Sequence, residues 1–293
     1  MRRGIFENET LEKNMYTTFR RSVCMNVISK IGRQKNNPER YNIYLNDTYA
    51  FAVDETTLIK FGLTKGKVLE QFDIDEITYE DEIAKAFNRA LNFLSYQMRS
   101  EFEVKKKLLD AGFGESVVLE AIRKLEKLGF LNDETYSKAL LETKKKTAKK
   151  GPRAIKQDLI KKGIDKETQN KVLDSFSHKE QLSIAMELAE KAVRANQNKT
   201  PMQIKQKIQD VLMRKGYSFS ITNEILDQIK LEREDDDWQQ MIELQGDKLW
   251  NKYASKFTGN DLRMKTKQAL YQKGFPIEVI DRFLDEKEME EHD

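Results

Sequence analysis

Apolar and polar residues alternate with period two between Asn26 and Val53. Tyr41, Ile43 and Leu45 fall on one face of an extended chain and Asn42, Tyr44 and Asn46 on the other, and Tyr49, Phe51 and Val53 resume the alternation after Asn46-Asp47. Alternation of this kind marks strands with one buried face, and the Asn-Asp pair marks a hairpin turn. The preceding NVISKIGR supplies a third strand, with the NNPER stretch and its Pro38 as the connecting loop. Beyond this small β module, short helices are read over 55–61, capped by Asp54, and over 67–72.

From about Glu80 the period becomes helical, and single glycines interrupt it at regular intervals. Leu108, Leu159, Leu212 and Leu270 each stand four residues before Gly112, Gly163, Gly216 and Gly274, and each glycine is followed at once by Phe113, Ile164, Tyr217 or Phe275. Further on come the apolar pairs Ala121-Ile122, Val172-Leu173, Ile225-Leu226 and Phe283-Leu284. The glycines are 51, 53 and 58 residues apart, which makes this an internal repeat. Each glycine reads as a left-handed helix cap whose following apolar residue packs back on the last turn. Helix starts agree with these stops: Ser100 with Glu103 and Thr200 with Gln203 fit capping boxes, and Pro152 and Pro201 suit a first helical position. One more helix fits between successive corners, over 83–98, 134–149, 179–195 and 238–256.

The fold class that follows is mainly α: tandem three-helix, helix-turn-helix-like repeats in an elongated, curved array, with the β module at the N-terminus. The expected divisions are a flexible extension over 1–24, the β module over 25–80, and repeats over 81–132, 133–176, 177–232 and 233–293, the last ending in an acidic tail from Glu286. Met15 and Met25 are both possible starts.

Composition narrows the class. Charged residues make up 34% of the chain while the net charge is only +3, so the charges are mixed, and 13 Gly and 4 Pro are few for 293 residues, which favours helix. The single cysteine, Cys24, allows neither an internal disulfide nor a thiolate metal cluster, which fits a reducing cytoplasm. No apolar run is long enough for a membrane span, and Glu7, Glu9 and Glu12 stand where a secretion signal needs apolar residues.

One charge cluster departs from this balance. Between Lys138 and Lys162 ten cations face only Glu142 and Asp158. A solvated lysine-rich helix face is the bland explanation; the sharper one, favoured here, is contact with phosphates or an acidic protein surface. The candidate binding residues are Lys144, Lys145, Lys146, Lys149, Lys150, Arg153 and Lys156. The corners themselves are poor readers of duplex DNA, because the helix after Gly274 carries Glu278, Asp281, Asp285 and Glu286, and the helix after Gly216 carries Glu224 and Asp227.

Catalytic chemistry finds no foothold. The stretch from Gly62 to Val68 imitates a phosphate-binding loop but has three residues between its glycines and no hydroxyl after Lys67. His178 and His292 are far apart and outside any metal-ligand spacing, and no nucleophile–base set is present. Tyr96, Phe102, Phe113, Phe130, Tyr136 and Tyr217 are read as packing between helices, with base stacking open only to any left exposed. The acidic run Glu232, Glu234, Asp235, Asp236 and Asp237 is read as a linker ahead of a helix starting at Trp238. The expectation is a non-enzyme with no cofactor and no metal.

The stretches ALNFLSYQMRSEFEVKKKLLDAGF, EAIRKLEKLGFLNDETYSKAL and KKGPRAIKQDLIKKGI resemble the RecX regulatory protein family. The carriers are Leu91, Leu94, Arg99-Ser100, Leu108 with Gly112-Phe113, the segment from Gly129 to Glu134, Gly151-Pro152, Leu159 and Gly163-Ile164. The resemblance is close over 85–175 and looser over the later repeats, and RYNIYLNDTYAFAV is similar to the small β portion of longer members. It implies a bacterial cytoplasmic protein, here taken as a monomer with no membrane contact. Such a protein binds the RecA recombinase filament, and with it single- or double-stranded DNA, and restrains RecA ATP hydrolysis and strand exchange in DNA repair and recombination. The alternative is a stand-alone nucleic-acid-binding protein that uses a basic helical surface.

Overall fold

The computed structural model describes residues 26–232 and 234–290. The extension expected over 1–24, with Cys24, lies outside the described residues, as do the end of the acidic tail and His292. The elements are β1 (Asn26–Arg33), β2 (Arg40–Leu45), β3 (Thr48–Asp54), α1 (Glu55–Lys60), β4 (Val68–Leu69), α2 (Gln71–Leu94), α3 (Glu101–Leu109), α4 (Glu115–Lys127), α5 (Asp133–Ala148), α6 (Pro152–Lys161), α7 (Lys166–Asp174), α8 (His178–Arg194), α9 (Pro201–Lys215), α10 (Phe219–Gln228), α11 (Asp235–Ala254), α12 (Gly259–Gln272) and α13 (Ile277–Glu290). The fold is mainly helical with a small N-terminal antiparallel sheet. Its described residues form two compact units that part between Asn132 and Asp133.

In the first unit the sheet has strand order β3-β2-β1-β4. Asn46 and Asp47 both take positive φ, 47° and 65°, the two-residue turn whose twist matches a hairpin. Ile28, Ile43, Leu45, Phe51, Val53 and Leu69 point to one face and pack on Ile77 of α2. Asp81, on the same helix, is 2% exposed. It accepts from Arg40 Nη2 at 2.8 Å and from the Asp54 N–H at 3.0 Å, which pins the hairpin to α2. Asp54 caps α1 by accepting from the Thr57 N–H, as its position suggested.

Two readings are corrected here. Residues 67–72 are not a helix: Val68 and Leu69 form a short edge strand on β1, and the Lys67 carbonyl accepts from the Ile28 N–H at 2.9 Å. The free edge of β1 offers these backbone groups partners from far along the chain, which local pattern does not register. The following helix starts at Gln71, twelve residues before Ile83, because Glu70 and Asp73 close a capping box. With 24 residues, α2 runs about 36 Å. Its first half lies under the sheet, while Ile83, Ala86 and Ala90 join Val104, Leu108, Val118, Ala121 and Leu125 in the core of a trio formed with α3 and α4.

The second unit holds three more trios. Leu141, Ile155, Leu159, Val172 and Phe176 form the core of α5–α7; Ala185, Ala189, Ile204, Ile208, Leu212, Tyr217 and Ile225 that of α8–α10; Ile242, Trp250, Leu262, Leu270, Phe275 and Phe283 that of α11–α13. Every trio turns its corner by the same bond. The N–H groups of Phe113, Ile164, Tyr217 and Phe275 donate to the carbonyls of Leu108, Leu159, Leu212 and Leu270 at 3.0–3.3 Å, across glycines with φ between 74° and 88°. Capping boxes at Ser100 and Thr200 are present. The acidic run is shorter as a linker than expected: α11 begins at Asp235, with Glu234 and Asp237 in a capping box, because carboxylates satisfy the free N–H groups of a helix start. At the other end, Glu286 to Glu290 are the last turns of α13.

Within the second unit, the starts of α6 and α9 each meet the glycine corner of the next trio. The Gly151 N–H donates to the Lys215 carbonyl at 2.8 Å, and the Arg153 N–H to the Gly216 carbonyl at 3.0 Å. Lys215 Nζ donates to the Ala148 carbonyl at 2.8 Å and the Tyr217 hydroxyl to the Lys149 carbonyl at 3.3 Å. No side chain fits between these backbones: a Cβ on Gly151 would lie 2.7 Å from Gly216, and a Cβ on Gly216 would lie 2.4 Å from Ala154 N. One trio further on, the Thr200 hydroxyl donates to the Lys273 carbonyl, and a Cβ on Gly274 would meet Met202 at 2.7 Å.

This joint makes a comparison between two glycines of equal φ informative. Gly112 has φ 88° and open space around its missing Cβ, whereas Gly216 has φ 87° and a neighbouring backbone. Gly112→Ala should cost only the left-handed penalty of about 1–2 kcal/mol. Gly216→Ala should cost more than that in urea unfolding, and should strip hydrogen-exchange protection from the Gly151 and Arg153 amides while Gly112→Ala leaves it intact. Equal protection in the two variants would dissolve the joint.

Candidate interaction surface

The basic cluster spans the end of α5, a three-residue turn and the start of α6. Lysines suit the end of α5, where the helix dipole is negative, and Pro152 at the first position of α6 forces the break. Lys149, at φ 49°, takes the left-handed conformation that reverses the chain.

The fold sorts the seven candidate residues into three kinds. Lys145 faces inward: it is 6% exposed, with its Nζ 2.7 Å from Glu142, 3.0 Å from Glu180 of α8 and 4.9 Å from the Phe176 ring centroid. Burial alone pulls its pKa down, but the hydrogen bonds it donates to Glu142 and Glu180 outweigh it, and the ammonium ends above its ordinary value. The same hydrogen bond from Lys145 holds the Glu180 carboxyl below the usual range. Lys149 and Lys150 lie at the joint, paired with Glu187 of α8 and, at 2.6 Å, with Asp158. Lys144, Lys146, Arg153 and Lys156 have no ion pair among the described residues; Lys146 and Arg153 are exposed, and Lys144 and Lys156 are half-buried. Arg153 and Lys156 stand three apart on α6, on one side of the helix. Lys138, at the edge of the run, is also committed: with Lys171 it brackets Glu134, whose carboxyl is drawn down to about 2 by hydrogen bonds first from Lys138 and then from Lys171.

The aromatic residues divide too. Tyr136 and Tyr217 are buried, and burial pushes the Tyr217 hydroxyl pKa up, with Glu187 adding to it. Phe113 packs against the first trio's core. Tyr96, Phe102 and Phe130 do not pack between helices as expected, being 86%, 49% and 54% exposed. Tyr96 sits in the turn after α2, Val104 and Leu108 take the inward face of α3 and leave Phe102 outside, and Leu131 fills the buried position beside Phe130.

Among the described residues no group of three His, Cys, Asp or Glu side chains is placed to hold a metal ion, and no helix is long and apolar enough to cross a membrane. His178 is engaged with Glu224 at 2.9 Å.

Family models place these elements. The RecX N-terminal domain matches residues 26–70, the RecX first three-helix domain 86–125 and the second 132–173, and the third three-helix domain matches twice, at 179–226 and 235–284. Regulatory protein RecX of Bacillus subtilis (strain 168) is 41% identical over 265 residues, which is 90% of this chain and the whole of that protein. The chain belongs to the RecX family. RecX of Bacillus licheniformis is 40% identical over 264 residues, again across its whole length. A crystal structure of regulatory protein RecX superposes with a TM-score of 0.62 at 38% identity, covering 70% of this chain and all of that one. Membership in the RecX family makes this a regulatory protein, and the double match of the third domain makes α8–α10 and α11–α13 two versions of one RecX module.

Two features of the surface escaped the sequence reading: the burial of Lys145, and the joint that clamps residues 148–154. The first had a signal, since Leu141 and Lys145 stand four apart on the inner face of α5. Lys145→Ala should lower the unfolding free energy by about 1–2 kcal/mol, through loss of the ring contact and the buried stem. Lys146→Ala should change it by less than about 0.5 kcal/mol. Urea titration of both variants checks the division; equal effects would return Lys145 to the surface.

Proposed function

We propose that this RecX-family protein binds RecA filaments and restrains their ATP hydrolysis and strand exchange, using the second trio as an electrostatic docking face. The observation that carries the reading is the set of cations on that trio with no ion pair among the described residues, Lys144, Lys146, Arg153 and Lys156, extended by Lys149 and Lys150 at the joint. Lys145 serves inside the trio and supports the face from behind. Cations left unpaired on a rigid surface repel one another, so an acidic subunit surface or enclosed phosphates relieve that repulsion on contact, speed association and make it salt-sensitive. The exposure of Tyr96, Phe102 and Phe130 favours a second reading, nucleic-acid binding without a recombinase partner, since exposed rings can stack on bases.

Inhibition of DNA-stimulated RecA ATPase separates the two. The variant Lys144→Glu, Lys146→Glu, Arg153→Glu, Lys156→Glu should need about tenfold more protein for half-inhibition, with a flatter salt dependence. Undiminished inhibition removes this face from the account. Tight, salt-sensitive DNA capture on filters with no effect on RecA would favour the second reading.

A further inference from the structure

The joint between the third and fourth trios opens into a recess of about 610 Å³. It is lined by Pro201 and Met202 at the start of α9, Trp238 in the first turn of α11, Tyr271 at the end of α12, and Phe275 and Pro276 after the corner glycine. Among the described residues no charged side chain lines it, and its two prolines offer no N–H. The walls are held in place. The buried Phe275 ring meets Trp238 edge to face, with centroids 5.9 Å apart, and Met202 is seated so closely on Gly274 that a Cβ there would collide with it. Met202 and Tyr271 are nevertheless 58% and 64% exposed. Large apolar side chains left open around a concavity mark a binding site, which single apolar residues scattered on a surface do not.

The preceding joint indicates what docks there. With Gly274 set against Gly216 and Pro201 against Pro152, Met202 takes the place of Arg153 and Gln272 the place of Arg214, and both arginines are exposed. One place in the repeat is thus cationic at the first of these joints and apolar at the second. A nucleic-acid strand carries a phosphate at every nucleotide and calls for cations at both. A protein surface, which sets charged groups beside apolar ones, matches the change.

We propose that this recess receives an apolar side chain from the protein surface of the filament whose acidic groups meet the basic face of the second trio, with Met202 and Tyr271 closing on it and Trp238 as its floor. The inference rests on the recombinase reading above and adds to it an apolar anchor, one joint further along, that takes hold of protein and not of phosphate.

The test is inhibition of DNA-stimulated RecA ATPase by the full chain and by the double variant Met202→Ser, Tyr271→Ser. Both positions are exposed, so circular dichroism should show the variant folded as the unaltered chain is. It should need about tenfold more protein for half-inhibition, at low and at high salt alike, because an apolar anchor is not screened. The conservative variant Met202→Leu, Tyr271→Phe keeps the apolar volume and should stay within about twofold of the unaltered chain. Undiminished inhibition by the serine variant, or an equal loss in the conservative one, would overturn this inference and leave the recombinase reading standing. No inhibition by the unaltered chain would overturn both. A dimer of the free chain in sedimentation that the serine variant abolishes would assign the recess to a second copy, and loss of DNA capture on filters with inhibition unchanged would assign it to bases; either result overturns the proposal.

Discussion

The contact on which the second unit depends is the one between the backbone at Gly151 and the backbone at Gly216. Each hydrogen bond there is worth only about 1 kcal/mol net. Their leverage is geometric: with no side chain between the two segments, neither can shift without leaving buried donors and acceptors unpaired, which costs more than the bonds themselves contribute. The clamped segment, 148–154, is the one that carries Lys149, Lys150 and Arg153. The candidate surface is therefore displayed from a fixed platform, and the same glycine that ends α9 within its own trio sets the position of cations on the trio before it.

Charge in this protein is divided between holding and reaching. Lys145 bridges α5 to α8 through Glu180, and Lys149 does so again through Glu187. These pairs join adjacent trios, and the nearly buried Lys145 is screened far less than an exposed pair would be. The cations left over lie on α5 and α6, with Lys146 and Arg153 exposed and Lys144 and Lys156 half-buried. A net charge of +3 hides this arrangement completely, because it averages paired and unpaired groups.

Much of the architecture was legible because its determinants are local. A left-handed glycine followed by an apolar residue records a helix corner within six residues, so all four corners could be read in advance, as could the capping boxes at Ser100 and Thr200 and the Asn46-Asp47 turn. The edge strand Val68–Leu69 could not be read, because its partner β1 lies some forty residues away and two residues carry no period. The candidate surface was legible as a region, not residue by residue. A run of lysines looks uniform in sequence, and only the helical phase of Leu141 and Lys145 separates the interior cation from its neighbours. Phe102 illustrates the converse: it stands out of phase with Val104 and Leu108, so an aromatic residue that composition assigns to the core lies outside. The array shape expected from the repeats depends on angles between modules, and no local pattern encodes those.

The joints suggest why a repeat of this kind serves a regulator. The rule that links one trio to the next uses very few positions: the start of a middle helix, a corner glycine and the backbone between them. Both joints in the second unit obey it, with Gly151 against Gly216 in one and Thr200 and Met202 against Lys273 and Gly274 in the other, although only the first is made backbone to backbone. Since the rule spares the outward faces, those faces are free to differ. The second trio presents unpaired cations. The fourth presents a groove along α11 that contains Asp237, Glu243 and Asp247, beside a recess that α11 shares with the end of α8 and the turn after it. Modules joined by one rule thus differ in the chemistry they show to solvent, which is the property a protein needs if successive modules are to meet different parts of a large target.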